Sequence, residues 1–202
     1  MNKRKFGIAL GFLAAFLLWT VAVKWIDVQA IGPEGSVVGF AKLNGFIHNR
    51  IGVHMGLYTL TDWLSVIPLG LVAGFGLQGL AQWVQRKSLR KVDRDLLILS
   101  SFYAAVMAMF LLFEVVVINY RPVLIEGVLE ASYPSSTTML CMCVLPTAAM
   151  RLRSRRWLAG ILMAFTIFMV AARLISGVHW LTDIIGGGLL SASLVMLYDS
   201  LT

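Results

Sequence analysis

The feature that most constrains the fold of this chain is a series of six long apolar runs. A helix needs about 20 mostly apolar residues to cross the hydrocarbon core of a bilayer, and all but the fourth run approach this length. The runs cover residues 6–26, about 61–84, 96–118, 134–150, 157–175 and 180–198. The sequence therefore predicts an all-α, polytopic membrane protein, with six transmembrane helices in a single domain over residues 1–202.

The composition also favours a membrane protein over a soluble one. Hydrophobic residues make up 59% of the chain and charged residues 13%, whereas soluble domains have about 45–50% and about 25%. The net charge of +7 raises the question of nucleic-acid binding, but the basic residues stand in short clusters between apolar runs. We therefore expect the bilayer, and not nucleic acid, to be the partner of these charges.

Three basic clusters predict the orientation of the chain in the membrane. They hold twelve of the 17 basic residues, namely Lys3, Arg4 and Lys5; Arg86, Lys87, Arg90, Lys91 and Arg94; and Arg151, Arg153, Arg155 and Arg156. With six spans all three clusters fall on one face, which the positive-inside rule assigns to the cytoplasm. We therefore predict a multi-pass protein of the cell membrane with both termini in the cytoplasm.

The N-terminal part of the chain has two notable segments. The basic start and the first apolar run resemble a signal peptide, but the run exceeds the usual length of about 7–15 residues, and Lys24 and Trp25 interrupt its end. We expect a retained anchor. Residues 27–60 are then external, and their mixed sequence fits an amphipathic helix on the membrane surface. In this segment His48 and His54 are expected to be polar residues at the membrane–water interface.

Ionisable residues at the predicted outer ends of the helices carry the chemistry. Such groups are costly at membrane depth and are usually functional. Arg173, His179 and Asp183 stand together in the stretch ARLISGVHWLTDIIGGG. An arginine can hold an anion, a histidine can attack or shuttle a proton, and a carboxylate one helical turn away can orient the imidazole.

Two further groups fall on the same predicted face. Arg121 precedes Pro122, which ends the third helix and fixes the exit of the chain. Residues 134–138, with the sequence PSSTT, open the fourth helix and offer backbone N–H groups and hydroxyls to an anion. Together with the His–Asp pair, these groups predict recognition of a phosphoryl group and attack on it by a histidine.

These residues resemble the type 2 phosphatidic acid phosphatase (PAP2) superfamily of membrane lipid phosphatases. The motifs of that family are K-x6-R-P, P-S-G-H and S-R-x5-H-x3-D. The resemblance covers about residues 114–183, and the six-helix layout extends it to most of the chain. The third motif matches in spacing and in its charged residues, whereas the first two match in part.

The resemblance implies a mechanism at the outer membrane face. His179 would attack phosphorus and form a phosphohistidine, Asp183 would orient it, and Arg173 would complete the catalytic set. The phosphate-binding residues would be Arg121, Ser135, Ser136, Thr137 and Arg173. No metal or other cofactor would be needed, because the arginines supply the positive charge that a metal ion supplies in other phosphoryl-transfer sites.

The departures from the family bear on the substrate. Glu114 stands in place of the lysine, and Thr137 in place of the second histidine, the acid that protonates the leaving oxygen. Thr137 cannot serve as an acid near neutral pH. A phosphate leaving group, with a second pKa of about 6, needs less protonation than an alcohol. This favours a lipid diphosphate such as undecaprenyl diphosphate, a carrier lipid of cell-wall synthesis, over a lipid monophosphate.

Several alternatives stay open at this point. Glu114 is either a protonated acid for the leaving group or a structural partner of an arginine. The altered motifs also fit a degenerate protein that binds or moves phospholipids without turnover, although an oriented nucleophile would then serve no purpose. A channel or transporter is less favoured, because close helix contacts explain Gly186, Gly187 and Gly188. The sequence does not define the oligomeric state.

Overall fold

The computed structural model describes residues 1–152 and 154–202, so that Arg153 of the third basic cluster lies outside the described residues. Within them the chain forms eight α-helical segments and no β-strand, with only isolated bridges in the loops. The segments are α1 (Lys3–Trp25), α2 (Ala41–Ile51), α3 (Met55–Leu64), α4 (Val66–Arg86), α5 (Arg94–Val115), α6 (Ser136–Arg151), α7 (Arg156–Ile175) and α8 (Leu181–Leu201). The all-α prediction is confirmed.

Among the described residues, five helices are long and apolar enough to cross a membrane: α1, α5, α7, α8 and the continuous stretch Met55–Arg86 formed by α3 and α4. The predicted count of six is not confirmed, because the fourth apolar run becomes α6, which has only 16 residues. At 1.5 Å per residue α6 is about 24 Å long, less than the ~30 Å hydrocarbon core. The second span also begins six residues earlier than predicted, at Met55.

α1 and α8 lie antiparallel along much of their length. At one end, the Lys5 ammonium is 2.8 Å from the Asp199 carboxylate. Near the other end, the Trp19 indole donates a hydrogen bond to the carbonyl of Thr182 at 3.1 Å. Both termini therefore lie at the same end of the bundle, opposite the start of α8. These contacts make α1 an integral part of the fold.

α6 forms the centre of the bundle, packed between α7 and α8, and most of its side chains are buried. Close approach to α8 depends on glycine. A Cβ atom on Gly186 would lie 2.5 Å from Cε2 of Tyr133, and one on Gly187 would lie 3.2 Å from the side chain of Thr138. This agrees with the small-residue contacts expected of the glycine run.

The outward faces of the long helices expose large apolar side chains. Leu18 is 71% exposed, Val115 83% and Ile167 69%. A soluble monomer rarely exposes so much contiguous apolar surface, whereas lipid tails solvate such side chains as well as a protein interior does. The buried arginine, histidine and aspartate side chains of the described residues instead gather at the end that holds the start of α8, namely Arg121, Arg173, His179 and Asp183.

The segment 27–60 contains the expected amphipathic helix, α2, which packs over the start of α8. The amide of Asn44 is buried and donates to the carbonyl of Gly39 at 2.8 Å and to the Thr182 hydroxyl at 2.9 Å. The opposite face of α2 exposes Phe46. Its position on the membrane surface stays a prediction.

Candidate active site

The predicted site residues come together at one end of the bundle. The loop between α5 and α6 contributes Arg121, the first turn of α6 contributes Thr137, and α7 contributes Arg173 from its last turn. His179 lies in the short loop between α7 and α8, and Asp183 lies in the first turn of α8. All five side chains are buried.

His179 lies between an arginine and a carboxylate. Its Nε2 atom is 3.3 Å from Nη1 of Arg121, and its Nδ1 atom is 3.8 Å from Oδ2 of Asp183. The Nε2 contact places an N–H donor against a ring nitrogen, which requires Nε2 to carry its lone pair. The proton of the neutral ring is then on Nδ1, on the side of Asp183. This tautomer leaves Nε2 as the nucleophilic atom.

Asp183 is held rigidly by three donors. Its Oδ2 atom accepts hydrogen bonds from the Trp180 backbone N–H at 2.9 Å and from the Ser132 hydroxyl at 2.5 Å, and its Oδ1 atom accepts from the Asn119 amide at 3.1 Å. The Trp180 bond caps the N-terminus of α8, so helix capping itself aims this carboxylate at the preceding histidine.

Arg173 is buried and has partners on two helices. Its Nη2 atom donates to the hydroxyl of Thr137 and lies 3.5 Å from a carboxylate oxygen of Asp62. Its Nη1 atom donates to the hydroxyl of Thr61 at 3.0 Å, and its guanidinium lies 4.7 Å from the ring centre of Tyr58. These contacts offset the cost of burying the charge and fix the guanidinium beside the start of α6.

The start of α6 has the features of an anion site. Ser135 is the N-cap, and its hydroxyl accepts from the backbone N–H of Thr138 at 3.4 Å. Among the described residues, the N–H groups of Ser136 and Thr137 have no hydrogen-bond acceptor in the first helical turn. Such N–H groups point along the helix axis, where the dipole favours negative charge.

Glu114 is exposed and lies near the end of α5. It lines a small pocket together with His179, Ser132 and Ser136. Within the described part of the chain it forms no ion pair; the carboxylate partner of Arg121 is Glu130, at 2.9 Å. The alternative in which Glu114 pairs with an arginine as structural support therefore has no counterpart in the structure.

Burial sets the protonation state of the histidine. It lowers the pKa of His179 to about 4, and the nearby Arg121 cation acts in the same direction while Asp183 opposes it. The imidazole is therefore neutral at neutral pH. A neutral ring whose Nε2 lone pair faces the Arg121 guanidinium can attack an electrophilic phosphorus.

An apolar cavity of about 300 Å³ adjoins the site between α4, α5 and α6. Leu69, Val72, Val106, Met107, Phe110, Leu140 and Val144 form much of its wall. Its polar end is formed by Asp62, Ser136 and Thr137. We call it the tail cavity. It joins a hydrophobic space to the residues that surround the Arg173 guanidinium.

The structure adds residues that the sequence did not reveal. Asn119 and Ser132 bond to Asp183, and Asp62 pairs with Arg173. Each is a single polar residue without a spacing pattern, separated from its partner by 50 or more positions along the chain. His48, expected at the interface, is half-buried, with its ring centre 5.3 Å from that of Trp180.

The fold and site define a membrane helical bundle with a histidine, a carboxylate and two arginines at a helix N-terminus. The family model of the PAP2 superfamily matches residues 72–200, and the chain belongs to this superfamily. The fold is similar to that in the crystal structure of the first transmembrane PAP2-type phosphatidylglycerolphosphate phosphatase from Bacillus subtilis, with a TM-score of 0.66 and 17% identity over 96% of this chain and 94% of the other. No curated protein sequence matches the chain significantly.

Proposed function

We propose that the chain is a membrane lipid phosphatase that acts through a phosphohistidine on His179. Nε2 of His179 attacks phosphorus, the lipid oxygen leaves, and water then hydrolyses the N–P bond. Asp183 stabilises the positive charge that the imidazole gains, and Arg121 and Arg173 bind the phosphoryl oxygens. Ser135, Ser136 and Thr137 complete the anion site at the start of α6.

The observation that carries the proposal is the environment of the neutral histidine. Its Nε2 atom is 3.3 Å from one arginine, and a fully buried carboxylate lies behind its Nδ1 atom. A protein that only binds phosphate has no need of an oriented nucleophile. The arginines take the electrostatic role that a metal ion has in other phosphoryl-transfer sites, so activity is expected to persist in EDTA.

The tail cavity supports a lipid as the substrate. An apolar chain in this cavity would place its phosphate at the polar end, next to Thr137 and Arg173. The absence of a histidine at position 137 favours a lipid diphosphate such as undecaprenyl diphosphate. The basic clusters favour a site on the external face, with both termini in the cytoplasm.

A phosphate-release assay tests the proposal. The purified wild type and His179→Ala are compared in detergent, with EDTA, on undecaprenyl diphosphate, undecaprenyl phosphate, phosphatidic acid and phosphatidylglycerophosphate. We expect release from at least one lipid by the wild type and a loss of about 10³-fold or more in the variant.

The second candidate is a degenerate member of the family that binds or moves phospholipids without turnover. It is favoured by the changed residues Glu114 and Thr137. Equal background rates for the wild type and His179→Ala on the whole panel would reject the catalytic proposal and support this one.

A further inference from the structure

We infer that Asp62 is the acid that protonates the leaving oxygen of the lipid, the role for which Thr137 is unsuited. The inference rests on the proposed function and concerns how the same site releases an alcohol. Asp62 lies on α3, outside the segments that carry the family motifs, and an acid there extends the proposed substrate class to lipid monophosphates.

Asp62 lies where the leaving oxygen must be. One of its carboxylate oxygens is 3.5 Å from Nη2 of Arg173, and the same Nη2 atom donates to Thr137. Asp62 also lines the polar end of the tail cavity. In a lipid phosphate, one oxygen joins the phosphoryl group to the tail. With the phosphoryl group on Arg173 and the tail in the cavity, this oxygen lies between the two, beside the Asp62 carboxyl group.

The other carboxyl groups near the site are less well placed. Glu114 shares a small pocket with His179 and does not line the tail cavity. An acid on the side of the nucleophile is poorly placed for in-line displacement, because the leaving oxygen lies opposite the attacking nitrogen. Glu130 pairs with Arg121 at 2.9 Å. Among the described residues, Asp62 is the carboxyl group that lines the tail cavity.

The remaining titratable groups beside Arg173 or along the tail cavity do not compete for the role. Tyr58 of α3 has its ring against the guanidinium of Arg173. Tyr103 of α5 lines the tail cavity, but its hydroxyl lies 3.1 Å from that of Thr147, which is ten residues and about 15 Å along α6 from Thr137. α6 itself presents only hydroxyl groups here, from Ser136 and Thr137.

Substrate binding releases Asp62 from its ion pair. Phosphoryl oxygens form strong charge-assisted bonds with arginine and take over Arg173 from the carboxylate. The side chain of Asp62 is 64% exposed, so the leaving oxygen of the bound lipid can lie against its carboxyl group.

The two steps balance as follows. Nε2 of His179 forms a bond to phosphorus, the bond from phosphorus to the lipid oxygen breaks, and that oxygen takes the proton of Asp62 and leaves as the alcohol. In the second step, water attacks phosphorus and gives a proton to the Asp62 carboxylate, and the N–P electron pair returns to Nε2. Phosphate leaves, and the protonated carboxyl group is restored.

The test compares two substrates that share a tail but differ in leaving group. Undecaprenyl phosphate releases an alcohol, and undecaprenyl diphosphate releases a phosphate. We expect Asp62→Asn to lower kcat/KM for the monophosphate about 10²-fold more than for the diphosphate, which is the scale of general acid catalysis. Asp62→Glu, which keeps a carboxyl group, should recover part of that ratio. Glu114→Gln, the matched amide variant on the other side of the site, should leave the ratio as in the wild type.

Four outcomes overturn the inference. An equal loss on both substrates in Asp62→Asn would show that Asp62 acts only by positioning Arg173. A changed ratio in Glu114→Gln, with an unchanged ratio in Asp62→Asn, would assign the acid to Glu114. A wild type that cleaves the diphosphate but not the monophosphate would show that the site has no acid, while the proposed function stands. A wild type that cleaves neither, nor any other lipid phosphate, would reject the proposed function and the inference with it.

Discussion

Replacing the carboxylate of Asp183 by an amide should lower kcat/KM about 1000-fold while preserving the fold. When Nε2 of His179 bonds to phosphorus, its ring gains a positive charge, and Oδ2 of Asp183 lies 3.8 Å from Nδ1. At an effective dielectric constant of about 20, this attraction is about 4 kcal/mol. Since about 1.36 kcal/mol corresponds to a factor of ten in rate, Asp183→Asn should lose about three orders of magnitude.

The cost of Asp183→Asn in stability should be smaller than its cost in activity. The amide oxygen can still accept from the Trp180 N–H and the Ser132 hydroxyl, and the amide of Asn119 can rotate to accept from the new NH2 group. All three hydrogen bonds lose their charged acceptor, at about 1 kcal/mol each. We therefore expect a loss of about 3 kcal/mol, or roughly 6–12 °C in Tm.

Initial rates of phosphate release and thermal unfolding in detergent measure the two effects. Asp199→Asn is the matched control, because Asp199 lies on the same helix and pairs with Lys5 at the far end. It should keep nearly full activity. If folded Asp183→Asn retains more than a tenth of the wild-type kcat/KM, then Asp183 does not stabilise a positive charge on His179, and the electrostatic reasoning is wrong.

Two further predictions follow from burial and packing. Burial lowers the pKa of His179 to about 4, and protonation removes the nucleophilic lone pair as the pH falls. Once kcat/KM is corrected for ionisation of the substrate phosphate, the midpoint of its acidic limb should therefore lie below the ordinary histidine pKa of about 6.5. A midpoint at about pH 6.5 or above would contradict this. Gly186→Ala places a Cβ atom 2.5 Å from the Tyr133 ring and should destabilise the fold by about 1–3 kcal/mol, measured as a lower Tm. Gly188→Ala is the control, because the nearest atom to its Cβ would be 3.8 Å away, and it should keep the wild-type Tm. Equal Tm values for the two variants would refute the packing argument.

Much of the fold could be predicted because a bilayer constrains both the length of the apolar runs and the positions of the polar residues. The runs at 6–26, 96–118 and 157–175 predicted α1, α5 and α7 to within a few residues of their ends. The number of spans was harder to predict, because the fourth run reflects burial among other helices as much as contact with lipid. α6 is apolar since it lies at the centre of the bundle.

The site could be predicted only where spacing reflects geometry. His179 and Asp183 are four residues apart because the first turn of α8 brings them together, and Arg121 and Arg173 are charges in apolar surroundings. Asp62 lies 3.5 Å from another site residue, Arg173. In the sequence, however, it is a single acidic residue near the start of a predicted helix, where acidic residues are common. Its role depends on tertiary packing that carries no local pattern.

Trapping of the covalent intermediate tests the central claim most directly. The wild type is mixed with a lipid phosphate, quenched with alkali within milliseconds to seconds, digested and analysed by mass spectrometry. The proposed mechanism predicts an alkali-stable, acid-labile phosphoryl group on His179, which accumulates as fast as the alcohol or lipid phosphate is released and is absent from His179→Ala. A phosphoryl group on another residue, or full turnover by His179→Ala, would contradict it.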